Sequence, residues 1–420
     1  MEKKKLNILI VDIWAEQGTN LYRYASGLAA GASKFANVTL AAPYSYRKPP
    51  EHNYRLINTF FPFTAKMKKH GFVRRVIRGA EYIHGYRRLA RIARKERFDI
   101  IQIEWPLRYK LDARLYRKLK EGCKVFVYKA HNVLPHSTGE KFLEDMRVIY
   151  DMADVILIHG RNHIEKEFLE YYPEFQDKLL VQRHGVNDPR ELRYDISEVN
   201  PTLVQRIREV NGNTNAAENK NIIKNKNGNK IYAFFGDIHE DKGLDRLVKI
   251  WLEEFRDSGS LLVVAGRILG EYPAIRSLEP AMKECSNLLY LPGYIYENDV
   301  NFLMESCDMV VLPYRRAYMS GVTYTCAEFG RTLLATDWGA LKEYADNEKD
   351  VFIVDNEDQP LREKLIEIDH NVSKERLREM GSSLKEHFYR DYRWSTIEKD
   401  VIRAYEEKVL EAEQANHEGK

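Results

Sequence analysis

The chain has 420 residues, of which 44% are hydrophobic and 31% charged, with a formal net charge of +3. This length exceeds one ordinary domain core, so two large domains are expected, and the composition excludes a fibrous or disordered protein. Four scattered cysteines without a Cys-x-x-Cys pair favour a reduced, cytosolic setting over disulfides or structural zinc. The apolar run behind the basic start is too short for a signal peptide, and no stretch is long enough for a membrane helix.

Short apolar runs of strand length recur along the chain, each followed by a helical pattern. Near-continuous apolar runs are typical of parallel strands that helices cover on both faces. The pattern therefore predicts an α/β protein with doubly wound parallel sheets. The predicted strands are Leu6–Val11, Val38–Ala42, Ile100–Ile103, Val125–Tyr128, Val155–Ile158 and Leu179–Val181, then Ile231–Phe235, Leu261–Ala265, Leu288–Leu291, Met309–Leu312, Leu333–Ala335 and Val351–Val354.

A polar segment separates the two series of strands. Residues 211–230 are rich in Asn, Lys and Gly and poor in apolar residues, as in a solvated linker. The expected domains are a first domain over 1–195, a linker with this insertion over 196–230, a second domain over 231–390 and a C-terminal helix over 391–420. Ligands of open α/β sheets bind beyond the carboxyl ends of the strands, so candidate residues are sought just after strands.

Two such segments in the second domain indicate an anion site. Arg315 and a Ser320-Gly321 turn that opens a helix follow the strand Met309–Leu312. Unpaired N–H groups at a helix start, together with arginine, favour binding of a diphosphate, although a polar surface loop would have the same composition. Lys242 follows the strand Ile231–Phe235 and could either reach a phosphate or simply occupy a turn.

The first domain offers weaker signals. His131 follows the strand Val125–Tyr128, where it could donate a hydrogen bond, transfer a proton near neutral pH or hold loop backbone. Gly18 lies in a short turn between the first strand and a helix. This turn lacks the Gly-x-Gly-x-x-Gly fingerprint of dinucleotide-binding domains, and the chain has neither a P-loop nor an Asp-x-Asp pair.

Together these segments resemble the retaining glycosyltransferases of family four, which have the GT-B fold of two facing Rossmann-like domains. The resemblance spans nearly the whole chain, and it implies a final helix that crosses back to the first domain. The matching segments are His131–His136, Ala153–Ile156, His184–Val186, Phe235–Gly236, Lys242–Asp245, Val264–Gly266, Pro292–Tyr294, Leu312–Arg315, Ser320–Val322, Phe329–Gly330, Ala335–Asp337, Leu341–Glu343 and Trp394.

The resemblance implies a retaining hexosyltransferase that uses a UDP- or GDP-linked sugar and needs no metal or other cofactor. By the same resemblance, His131 contacts the donor sugar and Lys242 grips the diphosphate. The N–H groups of Ser320–Val322 meet the phosphates, and the backbone of Ile295 reads the nucleobase. The candidate residues are His131 and Lys242 for catalysis, and Gly18, Ile295, Arg315, Ser320, Gly321, Val322 and Thr325 for donor binding.

The chain also departs from the family pattern. Many members carry two glutamates eight residues apart, and these positions are Ala317 and Thr325 here. Asp237 stands where an arginine often follows the glycine of the second domain. The missing glutamates favour one alternative, a non-catalytic sugar-nucleotide-binding partner of another transferase. A nucleotide-sugar epimerase of the same architecture is a second alternative, and an active transferase is the preferred interpretation.

A basic stretch gives a clue to the acceptor. Residues 66–97 contain twelve Lys and Arg against Glu81 and Glu96, and Phe60-Phe61-Pro62-Phe63 lies just upstream. Basic helices beside aromatic residues can rest on anionic membranes. We therefore hypothesise a glycan or lipid-linked acceptor of polysaccharide biosynthesis at the cytoplasmic face of the membrane. A solvated helix face explains the charges equally well, and no nucleic-acid recognition motif accompanies them.

Overall fold

The computed structural model describes residues 5–67, 71–133, 139–187, 194–212, 228–317, 320–339 and 341–418. The chain forms two compact units. Unit 1 comprises Met1–Asn187 and Asp391–Lys420, and unit 2 comprises Asp188–Arg390. Each unit is built on one parallel sheet, so the predicted fold class is confirmed. Among the described helices, none combines the length and apolar character needed to cross a bilayer.

The described residues of unit 1 form a sheet of seven parallel strands. They are β1 (Asn7–Val11), β2 (Asn37–Pro43), β3 (Arg55–Phe60), β4 (Phe98–Ile103), β5 (Cys123–Lys129), β6 (Val155–Ile158) and β7 (Leu179–Val181). Their order in the sheet is β3-β2-β1-β4-β5-β6-β7. Every residue of β4 and β6 is buried, and β6 reads as an unbroken apolar run, whereas β4 also contains the buried polar residues Asp99 and Gln102.

In the described part of unit 1 there are six α-helices. They are α1 (Asn20–Ala32), α2 (Phe72–Glu96), α3 (Tyr109–Lys120), α4 (Leu143–Met152), α5 (His163–Tyr171) and the C-terminal α13 (Trp394–Glu418). The apolar face of α2 packs on the sheet through Tyr82, Tyr86 and Leu89, which are buried. Eight of the twelve basic residues noted in the sequence lie on α2, and five of these are exposed, namely Arg75, Arg87, Arg91, Arg94 and Lys95.

Unit 2 repeats the architecture, with six parallel strands among its described residues. They are β8 (Ile231–Phe235), β9 (Leu261–Gly266), β10 (Leu288–Pro292), β11 (Met309–Leu312), β12 (Thr332–Thr336) and β13 (Phe352–Val354). Their order is β10-β9-β8-β11-β12-β13. The helices are α6 (Pro201–Val210), α7 (Leu244–Glu254), α8 (Pro273–Glu284), α9 (Glu297–Ser306), α10 (Gly321–Phe329), α11 (Asp358–Asn371) and α12 (Lys374–Asp391).

The segment expected as a linker over 196–230 begins with folded structure. The Asn200 side chain caps the start of α6 by accepting from the N–H groups of Thr202 and Leu203. The Asn200 N–H in turn donates to Asp299 Oδ1 at 2.7 Å, which ties the cap to α9. Residues 213–227, which hold most of the Asn/Lys/Gly-rich insertion, lie outside the described residues.

The first residue of α13 sits in a slot made by glycines of unit 1. A Cβ atom at Gly27 or Gly185 would overlap the indole of Trp394, and one at Gly31 would overlap its backbone. None of the three glycines has a positive φ, so close approach explains the lack of a side chain. Trp394 therefore fixes the start of the last helix against unit 1.

Candidate functional site

In each unit the strand order reverses beside the first strand. β1 lies between β2 and β4, and β8 lies between β9 and β11. Ligands of doubly wound sheets bind beyond the strand ends at such a reversal. Except for Ile295, which follows β10, the candidate residues of unit 2 follow β8 and β11. Those of unit 1 follow β1 and β5, so all but Ile295 lie at or next to the favoured positions.

The loops after β8 and β11 are joined by backbone. The N–H of Arg315 donates to the carbonyl of Asp241 at 2.7 Å. Gly243 separates the short turn Glu240–Lys242 from α7 and has a φ of 61°, in the left-handed region. A Cβ at Gly243 would also overlap the carbonyl oxygen of Pro313. Glycine is thus needed twice here, for the turn and for the contact between the loops.

A buried tyrosine brings Lys242 and Ser320 together. Lys242 Nζ lies 3.8 Å from the centroid of the Tyr314 ring, a cation–π geometry. The Tyr314 hydroxyl lies 3.3 Å from Ser320 Oγ. Burial lowers the pKa of Lys242 to about 8, with Asp241 and Asp237 opposing the shift. Lys242 is therefore mainly protonated at pH 7 in a place where poor hydration strengthens its attraction for an anion.

The start of α10 leaves backbone donors available. Ser320 is the N-cap residue, but its side chain makes no capping hydrogen bond and contacts Tyr314 instead. The first N–H groups of a helix have no acceptor within the helix, and the helix dipole makes this end partly positive. Gly321 is exposed and Val322 half-buried. The neighbouring Met319 lies outside the described residues.

Arg315 is engaged by the protein itself. Its Nη1 and Nη2 donate to the two carboxylate oxygens of Asp245 at 2.7 and 2.9 Å. This pairing raises the pKa of Arg315 above its usual value. Burial opposes ionisation of Asp245, but hydrogen bonds from Arg315 and Tyr272 hold its pKa below the usual value. The guanidinium braces the loop after β11 against α7, and its contact with a donor stays a prediction.

The remaining candidates of unit 2 are spread more widely. Thr325 lies one turn into α10, where its hydroxyl donates to the carbonyl of Gly321 at 3.2 Å. Ile295 is half-buried in the loop after β10, two strands away from β8. Asp237 forms a two-point ion pair with Arg267, the residue after β9. The structure thus groups Lys242 with the start of α10 and leaves Ile295 outside this group.

In unit 1, His131 has both ring nitrogens in protein contacts. Its Nε2 lies 3.1 Å from Glu104 Oε2, and its Nδ1 lies 3.0 Å from His159 Nε2. The ring stacks on Trp105 with centroids 3.4 Å apart. Burial lowers the pKa of His131 to about 4, although Glu104 opposes the shift. A neutral His131 then donates from Nε2–H to Glu104 and accepts from His159 at Nδ1. Leu134–His136 lie outside the described residues.

Buried polar side chains form hydrogen bonds in the core next to His131. Glu104 Oε2 also accepts from the Tyr24 hydroxyl at 3.0 Å. Lys129 donates to the Gln182 side chain at 3.1 Å, and Gln182 Nε2 donates to Glu398 of α13 at 2.9 Å. Burial lowers the pKa of Lys129 to about 7 and raises the pKa of Glu398 to about 8. The C-terminal helix therefore contributes a side chain beneath the candidate site.

Sequence reasoning missed three residues of this cluster. Glu104, Trp105 and His159 each lie within two residues of the end of a predicted strand. The rule that selected His131 would have selected them as well. Gly18 lies in the loop between β1 and α1 with a φ of 77°, and a Cβ there would meet no atom within 4 Å. Its left-handed backbone, rather than close packing, accounts for the glycine.

One group of described residues has the composition of a metal site. Ligand atoms of Asp346, Asp350 and His387 lie within 4.8 Å of one another. The Asp350 carboxylate already accepts from Ser383 at 2.7 Å and lies 2.8 Å from His387 Nδ1. These contacts tie the segment before β13 to α12. The cluster thus has a structural explanation.

Three solved structures illustrate the fold that this chain shares. A sucrose-phosphate synthase from Thermosynechococcus elongatus has 14% sequence identity and a TM-score of 0.65, and the match covers 96% of this chain and 99% of that one. The catalytic domain of starch synthase IV from Arabidopsis thaliana, solved with ADP and acarbose, has 11% identity and a TM-score of 0.70, with 97% of this chain and 100% of that one covered. HepE from Anabaena in complex with UDP-glucose has 13% identity and a TM-score of 0.63, with 96% of this chain and 100% of that one covered. These are GT-B glycosyltransferase structures, and such low identities establish the fold alone. A search of curated protein sequences gives no significant match.

Part of unit 2 also matches the sequence model of a protein family. Residues 229–370 match the model described as "Glycosyl transferases group 1". The matched region lies within unit 2 and includes Lys242, Tyr314 and the start of α10. The predicted GT-B fold and the predicted family are both confirmed. Over residues 229–370, this chain is similar to the group 1 glycosyltransferases.

Proposed function

We propose that this protein transfers a hexose from a nucleotide-sugar to a glycan or lipid-linked acceptor, with retention of configuration and without a metal. The main observation behind this proposal is that Lys242 and Ser320, at the start of α10, both contact Tyr314. A protonated amine and unpaired backbone N–H groups together suit a diphosphate. The nucleotides in the HepE and starch synthase IV complexes support the choice of donor class.

The proposed chemistry needs positive groups at the leaving diphosphate. As the bond from the anomeric carbon to the phosphate oxygen breaks, the sugar becomes oxocarbenium-like and the diphosphate gains negative charge. Fixed donors stabilise this charge without reorganisation. Lys242 would neutralise one phosphate, and the N–H groups of Gly321 and Val322 would donate to phosphate oxygens. In retaining transfer, the departing phosphate takes the proton of the acceptor hydroxyl, so no protein base is required.

The other candidate residues have narrower roles in this proposal. Thr325 and the backbone of Ile295 are proposed for the ribose and nucleobase of a UDP- or GDP-linked donor. Gly18 and His131 are proposed as donor contacts from unit 1. Because both nitrogens of His131 are already engaged, we assign it no proton transfer. Arg315 acts in the proposal by fixing the loop between β11 and α10.

The function is tested by nucleotide binding followed by turnover. Calorimetry with UDP, GDP, ADP and their sugars identifies the donor, and mass spectrometry of acceptor mixtures detects the product.

We expect Lys242→Ala to lower turnover by about 10²–10³-fold, the usual cost of removing a transition-state donor, with unchanged thermal unfolding. Lys283→Ala, an exposed lysine of α8, is the matched control. Failure of every nucleotide to bind would contradict the proposed function.

A non-catalytic sugar-nucleotide-binding protein is the second candidate. It is favoured by Ala317 and Thr325, which stand where many family members carry glutamates. Ala317 is buried, and its methyl side chain has no polar atom that could bind a sugar hydroxyl. Tight nucleotide binding without transfer, hydrolysis or epimerisation across all donors and acceptors would support this candidate over the transferase.

We also propose that α2 rests on an anionic membrane. Phe60 and Phe61, two of the aromatic residues noted upstream, are buried in the core, but Phe63 is 73% exposed. Phe72 and Val76, in the first turns of α2, are 79% and 56% exposed. The Phe63 N–H donates to Glu81 of α2, which holds it beside this helix. The first turns of α2 thus expose two apolar side chains of one helix face, Phe72 and Val76, which a lipid surface could receive.

The charges around these side chains fit the same partner. Glu81 is buried, and Glu96 is paired with Arg55. Arg75, Arg87 and Arg91 are exposed on α2. The outer face of the helix is therefore positive, and each basic residue near an anionic surface contributes about 1 kcal/mol. Lys68 and Lys69 of the same basic stretch lie outside the described residues.

Vesicle co-sedimentation tests this contact. We expect pelleting with vesicles of phosphatidylcholine containing about one-third phosphatidylglycerol, and loss of pelleting at high salt. Phe72→Ser with Val76→Ser should weaken pelleting, whereas Val148→Ser, an exposed apolar residue of α4, should leave it unchanged. Equal pelleting of the double variant and the wild type would contradict the proposed surface.

A further inference from the structure

A cavity of about 620 Å³ lies at the amino ends of four strands of unit 1. Its lining includes Asn7, Asn37 and Arg55, which are the first residues of β1, β2 and β3. Phe98, the first residue of β4, lines it as well. These strands are neighbours in the sheet, in the order β3-β2-β1-β4. The candidate residues of unit 1 follow the opposite ends of parallel strands, so one strand length, roughly 15–20 Å, separates them from this cavity.

The cavity has an apolar floor and a polar rim. Ala36, Val38 and Phe98 belong to its lining and are buried, so their side chains form the deepest part. The exposed residues of the lining all have polar side chains, and they are Lys5, Asn37, Asn53, Arg55 and Glu96. A ligand that fills the cavity would therefore place C–H groups on the floor and polar groups at the rim.

The side-chain amides of the lining have hydrogen-bonding capacity left. Asn37 Nδ2 donates to Asn7 Oδ1 at 3.1 Å, which leaves the oxygen of Asn37 and the nitrogen of Asn7 available. The side chains of Asn53 and Thr39 form no hydrogen bond with any residue that the structure describes. An amide both donates and accepts, and so does a hydroxyl group. Neighbouring amides therefore suit a ligand that carries several hydroxyl groups.

The charges at the rim favour a neutral ligand. Arg55 donates from Nη1 and Nη2 to the two carboxylate oxygens of Glu96 at 2.8 and 2.9 Å, so its charge is compensated. Lys5 is the lining cation that has no acidic partner among the described residues. An anionic polymer would thus find one uncompensated charge, whereas a neutral ligand meets no charge that it would have to pair.

We propose that this cavity binds neutral sugar rings of a glycan, away from the place of transfer. The C–H groups of a sugar ring pack on the apolar floor, and its hydroxyl groups exchange hydrogen bonds with Asn37 and Asn53. The volume lies within the range of small-molecule sites, about 300–1,000 Å³. The inference goes beyond the proposed function, because the sugar bound here does not react.

A glycan site at this edge of the sheet affects long acceptors and not short ones. A glycan chain held in the cavity keeps its remaining part at a high local concentration near the protein. A short acceptor cannot occupy both edges of the sheet at once. If the proposed function holds, Asn37→Ala with Asn53→Ala should raise KM for a polymeric acceptor and leave kcat and KM for a short acceptor unchanged.

Affinity electrophoresis of the full-length protein tests the site without any turnover. Native gels contain dextran, galactomannan or soluble starch as neutral probes and alginate as the anionic comparison, and retardation over a concentration series gives the dissociation constant. We expect at least one neutral polymer to bind more tightly than alginate. Asn37→Ala and Asn53→Ala should each raise the dissociation constant about fivefold, the scale of one hydrogen bond. Asn371→Ala, an exposed asparagine at the end of α11, is the matched control.

The outcomes separate this inference from the proposed function. The glycan site is wrong if no neutral polymer retards the protein, if the cavity variants are retarded like the wild type, or if alginate binds most tightly. The transferase stands in each of these cases, because nucleotide binding depends on unit 2. Should a neutral polymer bind through Asn37 and Asn53 while no nucleotide binds, the glycan site stands and the transferase fails.

Discussion

At the scale of single residues, Tyr314 organises the candidate site of unit 2. It lies under Lys242 and beside Ser320, so one buried ring fixes the positions of two groups that are far apart in sequence. Lys242 and Ser320 could be selected from sequence because each follows a strand. The pairing of Arg315 with Asp245 could not, because the partners are 70 residues apart and neither carries a local signal.

The pKa of Lys242 leads to a prediction about pH. Because burial lowers this pKa to about 8, the amine is charged below that pH and neutral above it. Affinity for UDP or the preferred nucleoside diphosphate should therefore fall between pH 7 and pH 9. In Lys242→Arg the guanidinium stays charged, so the affinity should change little over this range. Calorimetry at pH 7, 8 and 9 measures the two slopes, and parallel slopes would argue against a role of Lys242 in binding.

At the scale of elements, pattern reasoning located twelve of the thirteen strands of the described structure. The missed strand, β3, lies at the edge of the sheet and reads Arg-Leu-Ile-Asn-Thr-Phe, with its first, second and fourth residues not buried. An edge strand is covered less than a central one and can hold polar residues, and these residues interrupted the apolar run by which the other strands were predicted.

Helix α6 was missed for another reason. Its Asn-Pro start and buried Leu203, Val204 and Ile207 are helix signals, but the Asn-rich neighbourhood suggested a linker.

The slot for Trp394 gives a prediction at the element scale. Gly27→Ala adds a methyl group where the indole lies, and overpacking of this kind costs about 1–3 kcal/mol. In a Trp394→Ala background only the end of the Asn187 side chain still overlaps the added methyl group, so the same change should cost less. Urea unfolding of the four proteins of this cycle measures the coupling. Gly79→Ala on α2, where a Cβ meets nothing within 4 Å, should be neutral or stabilising. Additive effects of Gly27→Ala and Trp394→Ala would contradict the slot.

At the scale of the whole molecule, composition and the pattern of strands were enough to predict two α/β sheets. The order of the motifs along the chain was enough to predict the family. They did not reveal the polar network that connects the ends of the chain. Tyr405 donates to Gln102 across 303 residues, and Gln182 donates to Glu398 across 216. Contacts of this kind depend on packing in three dimensions, which no local pattern records.

Buried Glu398 should make unit 1 sensitive to pH. Its pKa is raised by burial to about 8 in the folded protein, against about 4.3 for an unperturbed glutamate. A raised pKa means stability that is complete below the unfolded value and lost as pH rises through about 8. Between pH 5 and pH 8, wild-type unit 1 should lose up to about 1.4 kcal/mol per pH unit relative to Glu398→Gln. Hydrogen exchange of unit 1 peptides in urea measures this difference, and identical pH profiles would show that Glu398 does not titrate in this way.

The tryptophan seated among three glycines also determines the order in which a newly made chain can mature. The ribosome releases Met1–Asn187 first, yet the space between Gly27, Gly31 and Gly185 stays open until residue 394 has been synthesised. Unit 2 is complete in the nascent chain before that moment. The amino-terminal half therefore acquires its final packing last, and a product that stops short of Trp394 keeps an apolar opening for chaperones and proteases to recognise.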